Sequence, residues 1–239
     1  MTTSVGYHVV SAQGKVIWTY SAPPGTKYAF SRPLVLLGSY VLAVGNDGAY
    51  AVALDGKKDW VAWMAGPYDP KVGTLKATPA LLAPKKAVFA ASNRRFYVVS
   101  AEGKQRVDTP MPFWAGGATV DRAGNSYLAV ATSGARIVSV DTSGKVRWLR
   151  SVKPASLGGG PVAITPDGAV LVVATNDENP GGKQVLSEVI AALDRGCGKE
   201  MRRFAIKDTT MSPVLLDQHG NLLFAQGDGL ADHVVKFSP

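Results

Sequence analysis

"SVDTSGKVRWLRS", residues Ser139 to Ser151, alternates apolar and polar side chains, turns at Thr142-Ser143-Gly144-Lys145, and leaves through a tryptophan. A period of two is what a half-buried strand requires, and a glycine supplies the positive φ that a tight hairpin demands. The same unit occurs four more times: "HVVSAQGKVIW" from His8, "AVALDGKKDW" from Ala51, "YVVSAEGKQRV" from Tyr97 and "IAALDRGCGKEMRRF" from Ile190. An aromatic stands four residues after the turn glycine at Trp18, Trp60 and Trp148. Val107 takes that place in the copy from Tyr97, and Phe204 lies nearby in the last.

A second pair of strands recurs between the hairpins. Its first member carries a small residue and a proline in "SRPLVLLG", "ATPALLAP", "GGPVAITPDG" and "MSPVLLDQHG", while "GGATVDRAG" has no proline. Its partner is apolar and β-branched, as in "YVLAVGND", "AVFAAS", "SYLAVATS", "AVLVVATND" and "LLFAQGD". Each pair precedes a hairpin, so the order along the chain is A, B, C, D. A four-stranded meander returning about every 40 to 50 residues defines an all-β, β-propeller architecture. No stretch holds a helical period, so little helix is expected. A β-sandwich would explain the strand count but not the repeated turn.

The repeat resembles the pyrroloquinoline-quinone-type (quinoprotein) propellers. In "SVDTSGKVRW" and "VALDGKKDW" a strand ending in aspartate leads through a glycine turn to a tryptophan that docks one blade on the next. The resemblance covers essentially the whole chain. It implies the blade rather than the function, because such blades serve quinoprotein dehydrogenases, outer-membrane assembly scaffolds and sensor domains alike. The pattern also lapses: Ala12 or Glu102 stands in the aspartate region, and two copies have no tryptophan. On the same resemblance Trp18, Trp60 and Trp148 are expected to dock blades.

Complete blades span 32–65, 78–109, 116–152 and 160–206. The C-terminus adds strands A, B and C, and the N-terminus a C strand and a D strand. One domain over 1–239 is expected, closed as five blades by mixing the two ends, with a fragment of a larger propeller as the alternative. One C strand is then surplus, because His8 and His233 occupy matching positions.

Composition narrows the chemistry. The 239 residues are 46% hydrophobic and 18% charged, a globular balance, with no run near the ~20 apolar residues of a membrane helix. The start "MTTSVGYHVV" shows no signal peptide. Compartment stays open, although the resemblance implies a periplasmic or extracellular protein if a signal has been removed. The one cysteine, Cys197, excludes an intrachain disulfide and a cysteine-rich metal site. Three histidines, His8, His219 and His233, fall at repeat strand or turn positions. No nucleophile elbow, zinc-protease pair or phosphate loop occurs, and "SLGGGP" leads to a strand rather than to a helix N-terminus. No catalytic residue, metal or cofactor is expected. A quinone dehydrogenase of the resembled family would use an acidic base, calcium and often adjacent cysteines, and eight blades are usual there.

In such a meander the A–B and C–D turns share one face. That face receives Lys15, Lys57, Lys85, Lys86, Lys104, Lys145 and Lys199, a basic surface suited to an anionic partner. The B–C connections of the other face gather Asn46, Asp47, Asn93, Asn176, Asp177, Glu178, Asn179, Asp228 and Asp232. "TNDENPGGKQ" from Thr175 reads as the longest of them, a solvated loop. No aromatics interleave with the lysines, which argues against nucleic acid. The D–A connections lead to the channel mouth and carry Tyr28, Phe30, Tyr68, Phe113 and Trp114, with Arg32 and Lys76 beside them. Aromatics and a few charges at a concave mouth suit a protein or small-molecule ligand. The expected function is therefore a monomeric, non-catalytic binding or scaffold module. The competing reading is an enzyme, a quinoprotein-like oxidoreductase or a lyase, using the same mouth.

Overall fold

The computed structural model describes residues 6–21, 35–44, 49–55, 61–62, 79–91, 95–100, 106–110, 114–132, 134–152, 156–157, 162–178, 185–206, 214–227 and 232–237. Every regular element among them is a β-strand. The first complete sheet is the antiparallel meander β3 (Val35–Leu37), β4 (Tyr40–Val44), β5 (Ala49–Ala53) and β6 (Val61–Ala62). The second runs β7 (Ala80–Ala83), β8 (Lys86–Ala91), β9 (Arg95–Ser100) and β10 (Arg106–Pro110). The third, which holds the opening stretch, runs β11 (Trp114–Val120), β12 (Ser126–Thr132), β13 (Gly134–Val140) and β14 (Val146–Ser151). These are the blades of a β-propeller.

The fourth sheet departs from this pattern in two places. Its innermost strand is broken: β15 (Ser156–Leu157) and β16 (Ala163–Ile164) both pair with β17 (Ala169–Glu178). The glycines between them lie outside the described residues, and a strand, β16, follows them as expected. The expected loop from Thr175 is also much shorter than its sequence suggests. β17 and β18 (Val185–Asp194) stay paired from Ala169↔Asp194 out to Glu178↔Val185, so Asn176, Asp177 and Glu178 lie on a ladder. Polarity suggested solvent, but the backbone keeps its cross-strand partners. β19 (Glu200–Ile206) completes the sheet.

At the chain ends, β1 (Gly6–Val10) pairs with β2 (Val16–Ser21), and β20 (Leu215–Leu216), β21 (Leu222–Gly227) and β22 (Asp232–Phe237) form a three-stranded sheet. The two groups expected to share one blade are separate sheets among the described residues. The reason lies in the surplus strand, for β22 already holds the C position beside β21 while β1 is a second C strand beside β2.

The core lies between the sheets. Ala87 and Phe89 of β8 pack with Leu37, Leu42 and Ala51 of the first blade, whereas Val88 and Ala90 pack with Leu128 and Val130 of the third. A strand buried on both faces needs apolar residues at every position, which is why "AVFAAS" does not alternate. Phe89 and its cross-strand partner Tyr97 stack within the second blade, ring centroids 5.0 Å apart, on the side packed against the first. Burying a ring of this size contributes roughly 2 to 3 kcal/mol.

Candidate functional site

The A–B and C–D turns meet on one face. A Cβ added to Gly124, in an A–B turn, would lie 2.7 Å from Thr142 of the neighbouring C–D turn. Four of these turns are fastened by an aspartate at their first position. The Asp141 carboxylate accepts hydrogen bonds from the Ser143 amide (2.8 Å) and the Lys145 amide (3.0 Å), and Gly144 closes the turn at φ 86°. Asp217 accepts from the amides of His219 (2.8 Å) and Asn221 (2.9 Å), Asp121 from that of Asn125 (2.9 Å), and Asp194 from that of Cys197 (2.8 Å). A short carboxylate that captures amides within its own turn fixes the chain direction at little entropic cost.

Those bonds also set the charge state. Burial pushes the Asp121 carboxyl up, but the hydrogen bonds from Asn125 and Tyr127 outweigh it and hold the group below its ordinary value. Asp141 is lowered in the same balance, burial against donors from Ser143 and Lys145. Asn221 above all keeps Asp217 low, and Cys197 does the same for Asp194. Every one of these carboxylates is an anion engaged by its own turn.

The boundary between the third and fourth blades is the most completely built part of this face. Trp148 of β14 is 6% exposed, and its indole Nε1 donates to the Arg195 carbonyl in the C–D turn of the next blade at 3.1 Å. Its ring leans on Tyr127 of β12 with centroids 5.9 Å apart. The Tyr127 hydroxyl donates to Asp121 (2.9 Å), and Arg147 donates both to that hydroxyl (3.3 Å) and to Ser139 Oγ (3.1 Å). Burial, reinforced by the Asp121 anion, pushes the Tyr127 hydroxyl up to about 12. Arg195, half-exposed, reaches back to the buried Asp121 carboxylate at 3.9 Å, a long contact that contributes little by itself.

Among the expected basic-face residues, Lys15, Lys85, Lys86, Lys145 and Lys199 are all exposed, while Lys57 and Lys104 lie outside the described residues. The face is not uniformly basic, because the turn aspartates share it with the lysines. Of the expected mouth residues, Tyr28, Phe30, Arg32, Tyr68, Lys76 and Phe113 lie outside the described residues. Trp114 opens β11, its backbone opposite Ala131. Trp18 stands in β2 opposite Val9, and Trp60 lies outside the described residues. Among the described residues no group of histidine, cysteine and carboxylate side chains is gathered as a metal site.

No family profile and no curated protein matches the chain. Solved structures do match. A protein of unknown function from Bacteroides caccae shares 14% identity at a TM-score of 0.54, covering 98% of this chain and 87% of that one. BamB from Moraxella catarrhalis shares 15% identity at 0.58, covering 98% and 80%. BBS1N, solved in complex with ARL6DN, shares 9% identity at 0.62, covering 100% and 74%. BamB and BBS1N are β-propellers, and the likeness is one of fold.

The repeat as read from its glycines and lysines marks Asp141 at the end of its strand but not Asp121 and Asp217, which fasten A–B turns. The signal is present: an aspartate three or four residues before a turn glycine, at Asp121, Asp141, Asp194 and Asp217, is the spacing at which a carboxylate reaches the turn amides.

Proposed function

We propose that residues 1–239 act as one monomeric propeller domain of quinoprotein-type repeats, a non-catalytic module that binds or scaffolds a protein or small ligand. The partner docks at the channel mouth through Tyr28, Phe30, Arg32, Tyr68, Lys76, Phe113 and Trp114, and the exposed lysines offer a second surface to an anionic partner. The observation that carries this reading is the engagement of the turn carboxylates. Asp121, Asp141, Asp194 and Asp217 are each held as anions by amides of their own turns, which makes them builders of a rigid surface rather than groups poised to move protons. The likeness in fold to BBS1N, itself solved with a protein partner, is consistent with a binding role.

The test is recovery of a partner with the purified protein as bait, repeated with Trp114→Ala and Arg32→Ala. Binding lost at an unchanged melting temperature supports the mouth. Binding retained by both variants and lost on Lys145→Glu with Lys199→Glu moves the site to the turn face. A visible absorption band from a bound organic chromophore in the purified protein would overturn the non-catalytic reading.

A further inference from the structure

The boundary between the fourth blade and the three-stranded sheet is built on the same register as the one closed by Trp148, with different side chains. In β13 and β14 the pairs Val140↔Val146 and Ser139↔Trp148 flank a bulge, and in β18 and β19 the pairs Leu193↔Glu200 and Ala192↔Arg202 flank the same bulge. Arg202 therefore stands where Trp148 does, four residues after its turn glycine. The preceding residue is Met201 in place of Arg147. On the B strand, the Asp121 amide bonds the Asn125 carbonyl as the Thr165 amide bonds that of Ala169, which sets Leu171 in the place of Tyr127. Indole, phenol and guanidinium have given way to an arginine that points outward, a leucine and a methionine.

The space so released is open. A cavity of about 370 Å³ lies there, with Leu171, Ala192 and Leu222 as its floor. All three are buried. Met201 and Arg202 form one wall, His219 from the next sheet forms the other, and all three are exposed. Its volume falls within the span of small-ligand sites, about 300 to 1,000 Å³. The lining is also of the right kind, an apolar floor under a few polar groups at the rim.

We propose that this notch is a binding site for a small planar aromatic molecule of indole size. Its ring enters edge-on between the two sheets, where the indole of Trp148 sits one blade earlier. The Arg202 guanidinium closes over the ring face, a contact an aromatic surface accepts and a saturated one does not. The Met201 sulfur offers a second contact that favours aromatic rings. The site lies among the A–B and C–D turns, on the face opposite the proposed mouth, and stands or falls independently of it.

The experiment is a titration of the whole protein with 5-fluoroindole followed by fluorine NMR. A saturable shift is expected. Arg202→Trp supplies the missing indole from the chain itself, so it should raise the melting temperature and weaken the probe by about tenfold or more. Arg202→Ala keeps the floor and loses the stacking cation, which should weaken the probe about two- to fivefold. Ala192→Leu fills the floor without touching Arg202 and should also weaken the probe, which covers the case in which Arg202→Trp does not fold. A linear, non-saturating shift with the wild-type protein overturns the proposal. So does unchanged affinity in either filling variant.

Discussion

Trp148 and Arg195 are joined across a blade boundary: the indole N–H of one donates to the carbonyl of the other at 3.1 Å, and the tryptophan is otherwise buried. Among the described residues no backbone ladder crosses this boundary, and the side chains of Trp148 and Thr119 bridge it by donating to the backbone carbonyls of Arg195 and Val162. Truncating Trp148 removes apolar contact and leaves the Arg195 carbonyl without its donor. Trp148→Ala should cost about 3 to 5 kcal/mol, the range for truncating a large buried ring. Equilibrium urea unfolding measures it, and a midpoint equal to the wild type would show that the ring is not a docking residue.

Two turn glycines separate backbone strain from steric exclusion. Gly198 (φ 73°) and Gly220 (φ 80°) are both left-handed. A Cβ on Gly198 would lie 2.7 Å from the Trp148 ring, whereas one on Gly220 meets nothing within 4 Å. Gly220→Ala should therefore cost only the conformational term, about 1 to 2 kcal/mol. Gly198→Ala must also displace an indole and should cost clearly more. Equal losses would mean that the ring moves aside freely.

Stability should fall at both ends of the pH scale. Asp121, Asp141, Asp194 and Asp217 have folded values below their ordinary ones, so they stabilise the fold above pH about 4 and lose that contribution as pH drops through the folded values. Tyr127 has the opposite sign. Its folded value of about 12 means that its contribution is complete below pH about 10 and is lost as pH rises toward 12. Melting temperature against pH should show both limbs, with Tyr127→Phe flattening the alkaline one and Asp121→Asn the acid one. An alkaline limb unchanged in Tyr127→Phe would assign it elsewhere.

Removing residues 1–20 tests whether the ends depend on each other. If the hairpin of β1 and β2 covers an edge of the last blade, its loss exposes an unpaired strand, and the protein should unfold or self-associate. Size-exclusion chromatography with light scattering decides this, and a stable monomer of unchanged melting temperature would make the hairpin peripheral.

How much of this was legible in the sequence depended on how local the cause was. The blade of Leu128, Val138 and Trp148 followed from alternation and a repeated glycine, because a strand and its turn are set by neighbours in the chain. The paired extension Thr175–Glu178 was not legible, since Asn, Asp and Glu are poor strand formers and only the ladder with Val185–Glu188 keeps them extended. The separate terminal sheets were foreshadowed by the surplus C strand, but pairing between distant ends leaves no local mark. In the notch, Arg202 could be found by counting four from Gly198. What the count could not supply is that Leu171 and Met201 also shrink, and an opening needs all three.

The exchange of tryptophan for arginine at equivalent positions has a genetic side. The tryptophan codon, TGG, differs from the arginine codons CGG and AGG in its first base alone. Because each blade's backbone ladder closes within its own sheet among the described residues, such a change at Trp148 or Arg202 leaves those ladders intact and alters only the seam. A lineage of these repeats can therefore seal such a seam by a single point mutation, one boundary at a time, while the other boundaries stay as they were.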